Sequence, residues 1–300
     1  MPEGHSVHRI ARQFARHFTG VPVSVTSPQG RFAADAALLD GHAIVSARAV
    51  GKQTFLEFDH GLWLRVHLGL YGAWDFAGDI GVAEQLVGGE GEASLSSIGA
   101  PRLTRLRMSE QEKVGDDLEV FPPEPIGQVR VRLLTPTVVG DLRGPTACEV
   151  QTAEEVQESI DKLGPDPLVD DLAIAEERFV STVRKKGVPI ALLLMDQSVV
   201  SGIGNVYRAE LLFRARQNPF TPGREVREEV VRALWHDWVH LLRIGYETGL
   251  MYTMDDEATG GVPEHWVYHR TGEPCLVCGT PIQMQEMATR KLYWCPTDQA

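Results

Sequence analysis

Two residues at the head of the chain could do covalent chemistry. Removal of Met1 would leave Pro2 as a secondary α-amine, with the Glu3 carboxylate as its neighbour. An α-amino group titrates at about pH 8, roughly two units or more below a lysine, so a useful fraction is neutral at physiological pH. A neutral secondary amine that attacks a carbonyl-type carbon collapses to an iminium, which is Schiff-base catalysis of the kind usually assigned to lysine. Glu3 is placed to shuttle protons for it. If Met1 stays, the nucleophile is blocked. Chain ends are ordinarily frayed and idle, so the pair needs support from elsewhere.

Cys275, Cys278 and Cys295 have metal-ligand spacing. Two thiolates two residues apart bite one ion, and a second knuckle at hairpin distance closes a tetrahedron. The fourth position of that knuckle is Asp298, and zinc accepts a carboxylate oxygen, so a structural Cys3Asp zinc site is expected. Three unrelated thiols are the alternative. Cys148 has no such company and is expected to pack as a small apolar residue.

Gly202 and Gly204 stand just before a helical stretch that opens with Asn205. Free amides at a helix N-terminus, flanked by glycine, suit a phosphate-sized anion. A tight turn whose glycines only avoid steric conflict is the plainer reading. Lys52, after Gly51 at a turn, would ordinarily be a solvated charge. Leu70 and Tyr71 could enter a base stack, with core packing as the default. Arg290 falls between the cysteine knuckles, where a hairpin tip would aim a guanidinium at phosphates or a groove.

These residues need elements to position them. Three hundred residues with 43% hydrophobic and 23% charged content describe a globular chain of about two domains and a small appendage. No apolar run reaches the roughly 20 residues of a membrane span, and no secretory signal opens the chain, so the cytoplasm is expected. The net charge of −12 argues against nucleic acid at first sight. Its distribution is uneven: residues 149–177 hold ten acidic residues and one lysine, whereas 178–250 hold eleven basic and seven acidic. Local patches govern binding, so DNA stays open as a partner.

The spacing predicts a helix over 6–18, with Arg9, Arg12, Gln13 and Arg16 largely on its polar side. Short alternations over 43–50, 54–58, 62–66, 103–108 and 129–134 predict an antiparallel sandwich or barrel, with a loop over 78–97. A helix over 149–163, with a capping box from Thr152 to Glu155, precedes a proline-rich linker at 163–168. Helical periodicity follows over 174–184, 190–196, 206–215 and 224–248, and short strands return around the cysteines.

In this order the motifs resemble one family. The opening Met-Pro-Glu-Gly-His, the Gly51-Lys52 turn, Leu70-Tyr71, the 163–168 linker, Leu194-Met195-Asp196-Gln197 running to Gly204-Asn205-Val206-Tyr207-Arg208, and the cysteine finger together resemble the formamidopyrimidine-DNA glycosylase/endonuclease VIII family, and most its actinobacterial endonuclease VIII branch. The resemblance spans nearly the whole chain. It implies an α+β multidomain fold: an N-terminal catalytic β-sandwich flanked by helices (1–148), a helix and linker (149–170), a helix–two-turn–helix DNA-binding domain (171–258) and a β-hairpin zinc finger (262–300), with DNA held in the cleft between domains.

It also implies roles. Pro2 would attack C1′ of a damaged nucleotide, Glu3 would serve as general acid and base, and Lys52 would contact the neighbouring phosphate. Gly202, Gly204, Asn205 and Arg290 would bind backbone phosphates. Leu70 and Tyr71 would fill the gap left by the flipped nucleotide. The implied activity is a bifunctional DNA glycosylase/AP lyase on oxidised bases, with a lean to pyrimidines and to single-stranded or opened DNA. The protein would work as a monomer at the bacterial nucleoid.

Three departures bear on this. Ser6 stands where family members often carry a second glutamate. Ala191 replaces a lysine of the formamidopyrimidine branch, and Asp298 replaces a zinc cysteine. An AP lyase with little glycosylase activity, a non-catalytic damaged-DNA-binding protein of the same fold, and a zinc-stabilised interaction module are the rival readings.

Overall fold

The computed structural model describes residues 2–80, 104–109, 112–115, 120–254 and 265–300. These form two compact units: Pro2 with Ser6–Ile160, and Glu3–His5 with Asp161–Ala300. Met1, and all of the expected 78–97 loop beyond residue 80, lie outside the described residues.

Helix α1 (Gly4–His17), which lies in the first unit from Ser6 onward, begins two residues earlier than the periodicity suggests. Its apolar stripe of Val7, Ile10, Ala11 and Phe14, with Phe18 just beyond, is buried as expected. Arg9 and Gln13 are buried too, against the expectation of a polar face. Burial of Arg9 is tolerable because Glu112 receives its guanidinium through two hydrogen bonds.

The strands that follow are β1 (Ser24–Thr26), β2 (Ile44–Val50), β3 (Gln53–Phe58), β4 (Trp63–His67), β5 (Ala73–Gly78), β6 (Thr104–Met108), β7 (Glu112–Val114), β8 (Val129–Leu134), β9 (Val138–Arg143) and β10 (Ala147–Gln151). A short helix, α2 (Ala33–Leu39), separates β1 from β2. Two antiparallel sheets result, in the orders β1-β8-β9-β5-β6-β7 and β10-β4-β3-β2. Strict alternation sends Val129, Val131 and Leu133 inward from β8. Val131 and Leu133 meet Leu56, Leu64 and Val66 of the other sheet and Phe14 and Phe18 in one core. Cys148 packs half-buried against that core, and burial pushes its thiol up to about 12.

The helix expected over 149–163 is shorter. Residues 147–151 pair with β4 in register Val150↔Leu64, because the chain here closes the edge of the sheet. Helix α3 (Ala153–Asp161) starts after Thr152, and its capping box is reciprocal. The Thr152 amide donates to Glu155 Oε2 at 2.9 Å, and the Glu155 amide donates to Thr152 Oγ1 at 3.3 Å.

The second unit contains α4 (Leu172–Lys185), α5 (Ile190–Leu193), α6 (Asn205–Arg214), α7 (Glu228–Thr248) and the hairpin β11 (Gln283–Met287) and β12 (Arg290–Trp294). Asp171 caps α4 through the amides of Ala173 and Ile174, both at 3.1 Å. The stretch expected as one helix over 224–248 splits into a 3-10 turn (Gly223–Glu225) and α7. Phe179, Tyr207, Trp235 and Trp238 anchor its core. The proline-rich segment 163–167 is buried. Its Gly164 amide donates to Gln197 O at 2.7 Å, and Ser201 Oγ donates back to Gly164 O at 2.8 Å. Among the described residues no helix is long and apolar enough to cross a membrane.

Candidate active site

Glu3 is 1% exposed, and its carboxylate closes the N-terminus of α6. Oε1 accepts from the Val206 amide at 2.8 Å, while Oε2 accepts from the amides of Gly204 at 3.0 Å and Tyr207 at 3.4 Å. These are amides that a helix leaves unsatisfied at its start, and the helix dipole favours an anion there. The anion expected at this helix end is therefore the chain's own carboxylate, delivered from its third residue.

The glycines make this approach possible. A Cβ on Gly204 would lie 2.5 Å from Glu3 Cδ, and a Cβ on Gly4 would lie 2.9 Å from Gly202 Cα. Gly4 donates its amide to Gly202 O at 2.9 Å. Gly202 has φ +93°, the left-handed region that a side chain would strain. Gln197 fixes the loop by accepting from the Gly202 amide and donating to the carbonyls of Met195 and Ile203. The Gly204 amide, expected to face a phosphate, donates here to Glu3, and its missing side chain makes room for that carboxylate. His5 is buried beside them, its Nδ1 3.2 Å from Tyr207 Oη.

Asn205 faces the hairpin. Its Nδ2 donates to Lys291 O at 2.9 Å, and its Oδ1 accepts from Arg208 Nη2, which also donates to Lys291 O at 3.0 Å. Arg208 is fully buried, and burial brings its pKa down to about 10; Glu3 pulls it up and Arg290 pushes it further down. Its Nε and Nη1 have no hydrogen-bond partner among the described residues. Arg290 opens β12, immediately after the turn at Ala288 and Thr289, whose φ values are +48° and +64°. Asn205 and Arg208 thus both hold the carbonyl of Lys291, the residue after Arg290, and tie this helix end to the hairpin. Sequence reasoning passed over Arg208. Its signal was a charge three positions after Asn205, on the same side of a helix.

In the first unit Pro2 is buried. Lys52 is 6% exposed at the β2–β3 turn, where Gly51 takes φ +58°, so the solvated-charge reading fails. Its ammonium and the Arg65 guanidinium assist burial, the main cause, in holding His67 below its ordinary 6.5. Leu70 and Tyr71 are 43% and 85% exposed at the β4–β5 turn, against the core-packing default. Gly69, at φ +67°, and Gly72, where a Cβ would meet Leu68 O at 2.3 Å, fix that tight turn.

At the C-terminus the four expected metal ligands converge. Asp298 Oδ2 lies 3.0 Å from Cys275 Sγ and 3.5 Å from Cys295 Sγ, and Cys278 and Cys295 Sγ are 3.4 Å apart. The other carboxylate oxygen accepts from Arg216, which leaves Oδ2 turned toward the thiols. Burial and the Asp298 hydrogen bond push the Cys275 thiol up to about 12, so a cation is what would let this set ionise together. The donor set fits zinc.

Three family models match in chain order: formamidopyrimidine-DNA glycosylase N-terminal domain over residues 1–115, formamidopyrimidine-DNA glycosylase H2TH domain over 163–255, and the zinc finger found in FPG and IleRS over 272–300. Endonuclease 8 1 of Mycobacterium tuberculosis is 39% identical over 306 residues, covering all of both chains. The chain belongs to the formamidopyrimidine-DNA glycosylase/endonuclease VIII family. A Thermus thermophilus formamidopyrimidine-DNA glycosylase is 37% identical over 145 residues, 46% of this chain and 54% of its own. The crystal structure of MutM (Fpg) from that organism superposes with TM-score 0.69 at 25% identity, over 99% of this chain and 98% of that one. A Lactococcus lactis Fpg complex with N7-benzyl-Fapy-dG DNA superposes with TM-score 0.73 at 20% identity, over 99% of both, and shares the fold.

Within the second unit, then, Glu3, Gly202, Gly204, Asn205 and Arg290 share one helix end and its hairpin. Pro2, Lys52, Leu70 and Tyr71 belong to the first unit. Two departures from the family pattern are also located. Ser6 is 3% exposed in the first turn of α1, and Ala191 is fully buried in the helical core.

Proposed function

We propose that this chain is a bifunctional DNA glycosylase/AP lyase that excises oxidised bases through Pro2. The observation that carries the reading is the anchoring of Glu3 by three backbone amides. It fixes the residue next to the nucleophile, and an amine held within reach of its substrate gains rate through lost freedom.

The Pro2 nitrogen attacks C1′, the N-glycosidic bond breaks, and the base leaves with its electron pair. The sugar remains on the nitrogen as an iminium. Glu3 supplies and takes up the protons of ring opening and elimination. Loss of the 3′ and then the 5′ phosphate, by β- and δ-elimination, cuts the strand. Lys52 neutralises the phosphate beside the lesion, and Asn205 and Arg290 hold the backbone, with buried Arg208 fixing Asn205 in place. Gly202 contributes by shaping the loop that presents them. Leu70 and Tyr71, exposed on a rigid turn, fill the space of the flipped nucleotide.

The resemblance to the endonuclease VIII branch, of which a 39% identical relative is named Endonuclease 8 1, supports a lean to oxidised pyrimidines and to single-stranded or opened DNA. So does an alanine where the formamidopyrimidine branch has its lysine. The protein would act as a monomer at the nucleoid of its bacterium. Cys275, Cys278, Cys295 and Asp298 would hold one structural zinc, whose part is to fix the hairpin that carries Arg290.

Borohydride trapping on an oligonucleotide with one abasic site tests this. The processed chain, with Pro2 confirmed as N-terminal by mass spectrometry, should form a covalent adduct. A version carrying an extra residue before Pro2, whose nitrogen is then an amide, should form none. Adducts from both would move the nucleophile elsewhere. Adducts from neither, with DNA still bound, would leave a non-catalytic binding protein.

A further inference from the structure

A second group of metal-type donors lies in the first unit, away from the cysteines in sequence. His42 precedes β2, while Asp59 and His60 occupy the β3–β4 turn. His42 Nδ1 is 2.7 Å from Asp59 Oδ1, and His60 Nδ1 is 3.7 Å from the same oxygen. The two imidazoles stack with centroids 3.6 Å apart and planes 17° apart, and the Nδ1 atoms of both lie near the same Asp59 oxygen. The three donor atoms lie within 4.8 Å of one another.

The backbone holds this arrangement. Strands β2 and β3 are in register at Ile44↔Phe58, the Asp59 amide donates to Ala43 O at 2.9 Å, and Asp59 Oδ2 accepts from the Ala43 amide at 3.2 Å. Gly41 and Gly61 take φ +80° and +86° on either side of the cluster.

One hydrogen bond decides what the cluster is suited to. His60 Nε2 is 3.0 Å from Leu38 O. A carbonyl only accepts, so Nε2 carries the hydrogen, and a neutral His60 bears its lone pair on Nδ1. That lone pair faces the Asp59 carboxylate, acceptor against acceptor, unless a proton or a metal ion stands between them. A backbone carbonyl fixing the remote ring nitrogen is also how metal-ligating histidines are oriented. A tetrahedral zinc with bonds of about 2.0–2.2 Å sets its ligands about 3.3 Å apart. The 2.7 Å and 3.7 Å separations here bracket that value, and small side-chain rotations would equalise them.

We propose that His42, Asp59 and His60 form a second metal site, taking one divalent zinc-type ion through two imidazole nitrogens and one carboxylate oxygen, with water completing the shell. Imidazole selects zinc, copper and nickel over magnesium and calcium. The site is independent of the glycosylase reading and of the cysteine cluster.

Equilibrium dialysis of the full chain against zinc, after chelator treatment, reads the stoichiometry. Wild type should hold one zinc ion more per chain than His42→Ala/His60→Ala, whatever the cysteine cluster retains. Long-range 1H–15N imidazole spectra should show zinc shifting Nδ1 of both histidines while the Nε2 hydrogen of His60 persists. All three side chains are a quarter or more exposed, so the double variant should keep the wild-type melting profile. Equal stoichiometry in the two proteins, or histidine nitrogens that zinc leaves unmoved, would overturn the site. A melting profile shifted in the variant would leave the nitrogen shifts of the wild type as the deciding readout.

Discussion

Glu3 Oε1 accepts the amide of Val206 at 2.8 Å, joining residues 203 positions apart. The carboxylate does for α6 what an N-cap side chain does, but from a distant segment. Three hydrogen bonds to a charged acceptor, at about 1.5–3 kcal/mol each, make this attachment one of the stronger ones in the unit. The residue proposed to move protons is held from both of its oxygens.

Gly204→Ala should therefore disable catalysis while leaving the backbone comfortable. At φ −117° and ψ −157° any residue is allowed, so the cost is purely the 2.5 Å approach of Cβ to Glu3 Cδ. A displacement of about 1 Å at a reacting group costs on the order of 100-fold in rate. Single-turnover cleavage of an abasic oligonucleotide should fall by about that factor, with DNA affinity changed far less. Unchanged cleavage would mean that Glu3 needs no fixed place.

Asn205→Ala removes the donor to Lys291 O and the acceptor for Arg208, whose Nε and Nη1 already lack partners among the described residues. Stability should drop by about 2–3 kcal/mol, since a buried charged donor loses a further bond. The loss should appear in denaturant unfolding. DNA binding should weaken as well, with a shallower salt dependence if a phosphate contact is lost with it.

Glu210 repeats the logic of Glu3 without any chemistry. Its carboxylate accepts from the amides of Trp266, Val267 and Tyr268, at 2.8 to 3.0 Å, and from Thr253 Oγ1 at 2.8 Å. Glu210→Gln turns one oxygen into a donor facing donors, and should cost about 3 kcal/mol by urea unfolding. A neutral effect would show that the segment after residue 265 is held by other contacts.

How far the sequence reached depended on whether a feature was local. The capping box of Thr152 and Glu155, the cysteine knuckle with Asp298 and the hairpin tip before Arg290 each rest on fixed spacing, and each could be read. Gly202 and Gly204 were legible as special, but not what they accommodate, because the carboxylate that fills the helix end comes from residue 3. Lys52 gave no sign of burial, since which side of a hairpin turn is covered is a tertiary property. Residues 149–151 looked helical beside α3 because strand pairing with β4 is likewise non-local. Short α2 carries too few residues to show a period.

His67 gives a pH dependence with a definite sign. Burial first, then Lys52 and Arg65, hold its folded pKa below the ordinary 6.5. The unfolded chain therefore binds the proton more readily. Stability is unaffected above about pH 6.5 and declines as the pH falls below it, until the folded form protonates too. Melting temperatures between pH 7.5 and 5 should fall less steeply for His67→Gln than for wild type. Parallel curves would place the proton uptake on another group.

Asp298→Cys tests the C-terminal ligand set from the side of gain. A fourth thiolate is a softer donor than a carboxylate and should hold zinc more tightly against a chelator. The substitution also removes the partner of Arg216, an ion pair whose guanidinium is about half exposed, so its loss should cost under about 1 kcal/mol. Chelator-driven zinc release should slow by an order of magnitude or more, while DNA affinity at low chelator stays near wild type. Asp298→Ala should release zinc faster than wild type and should lose DNA affinity with it, because the hairpin bearing Arg290 would lose its tie. If Asp298→Ala retains zinc as wild type does, the carboxylate is not a ligand, and the three cysteines hold the ion with water.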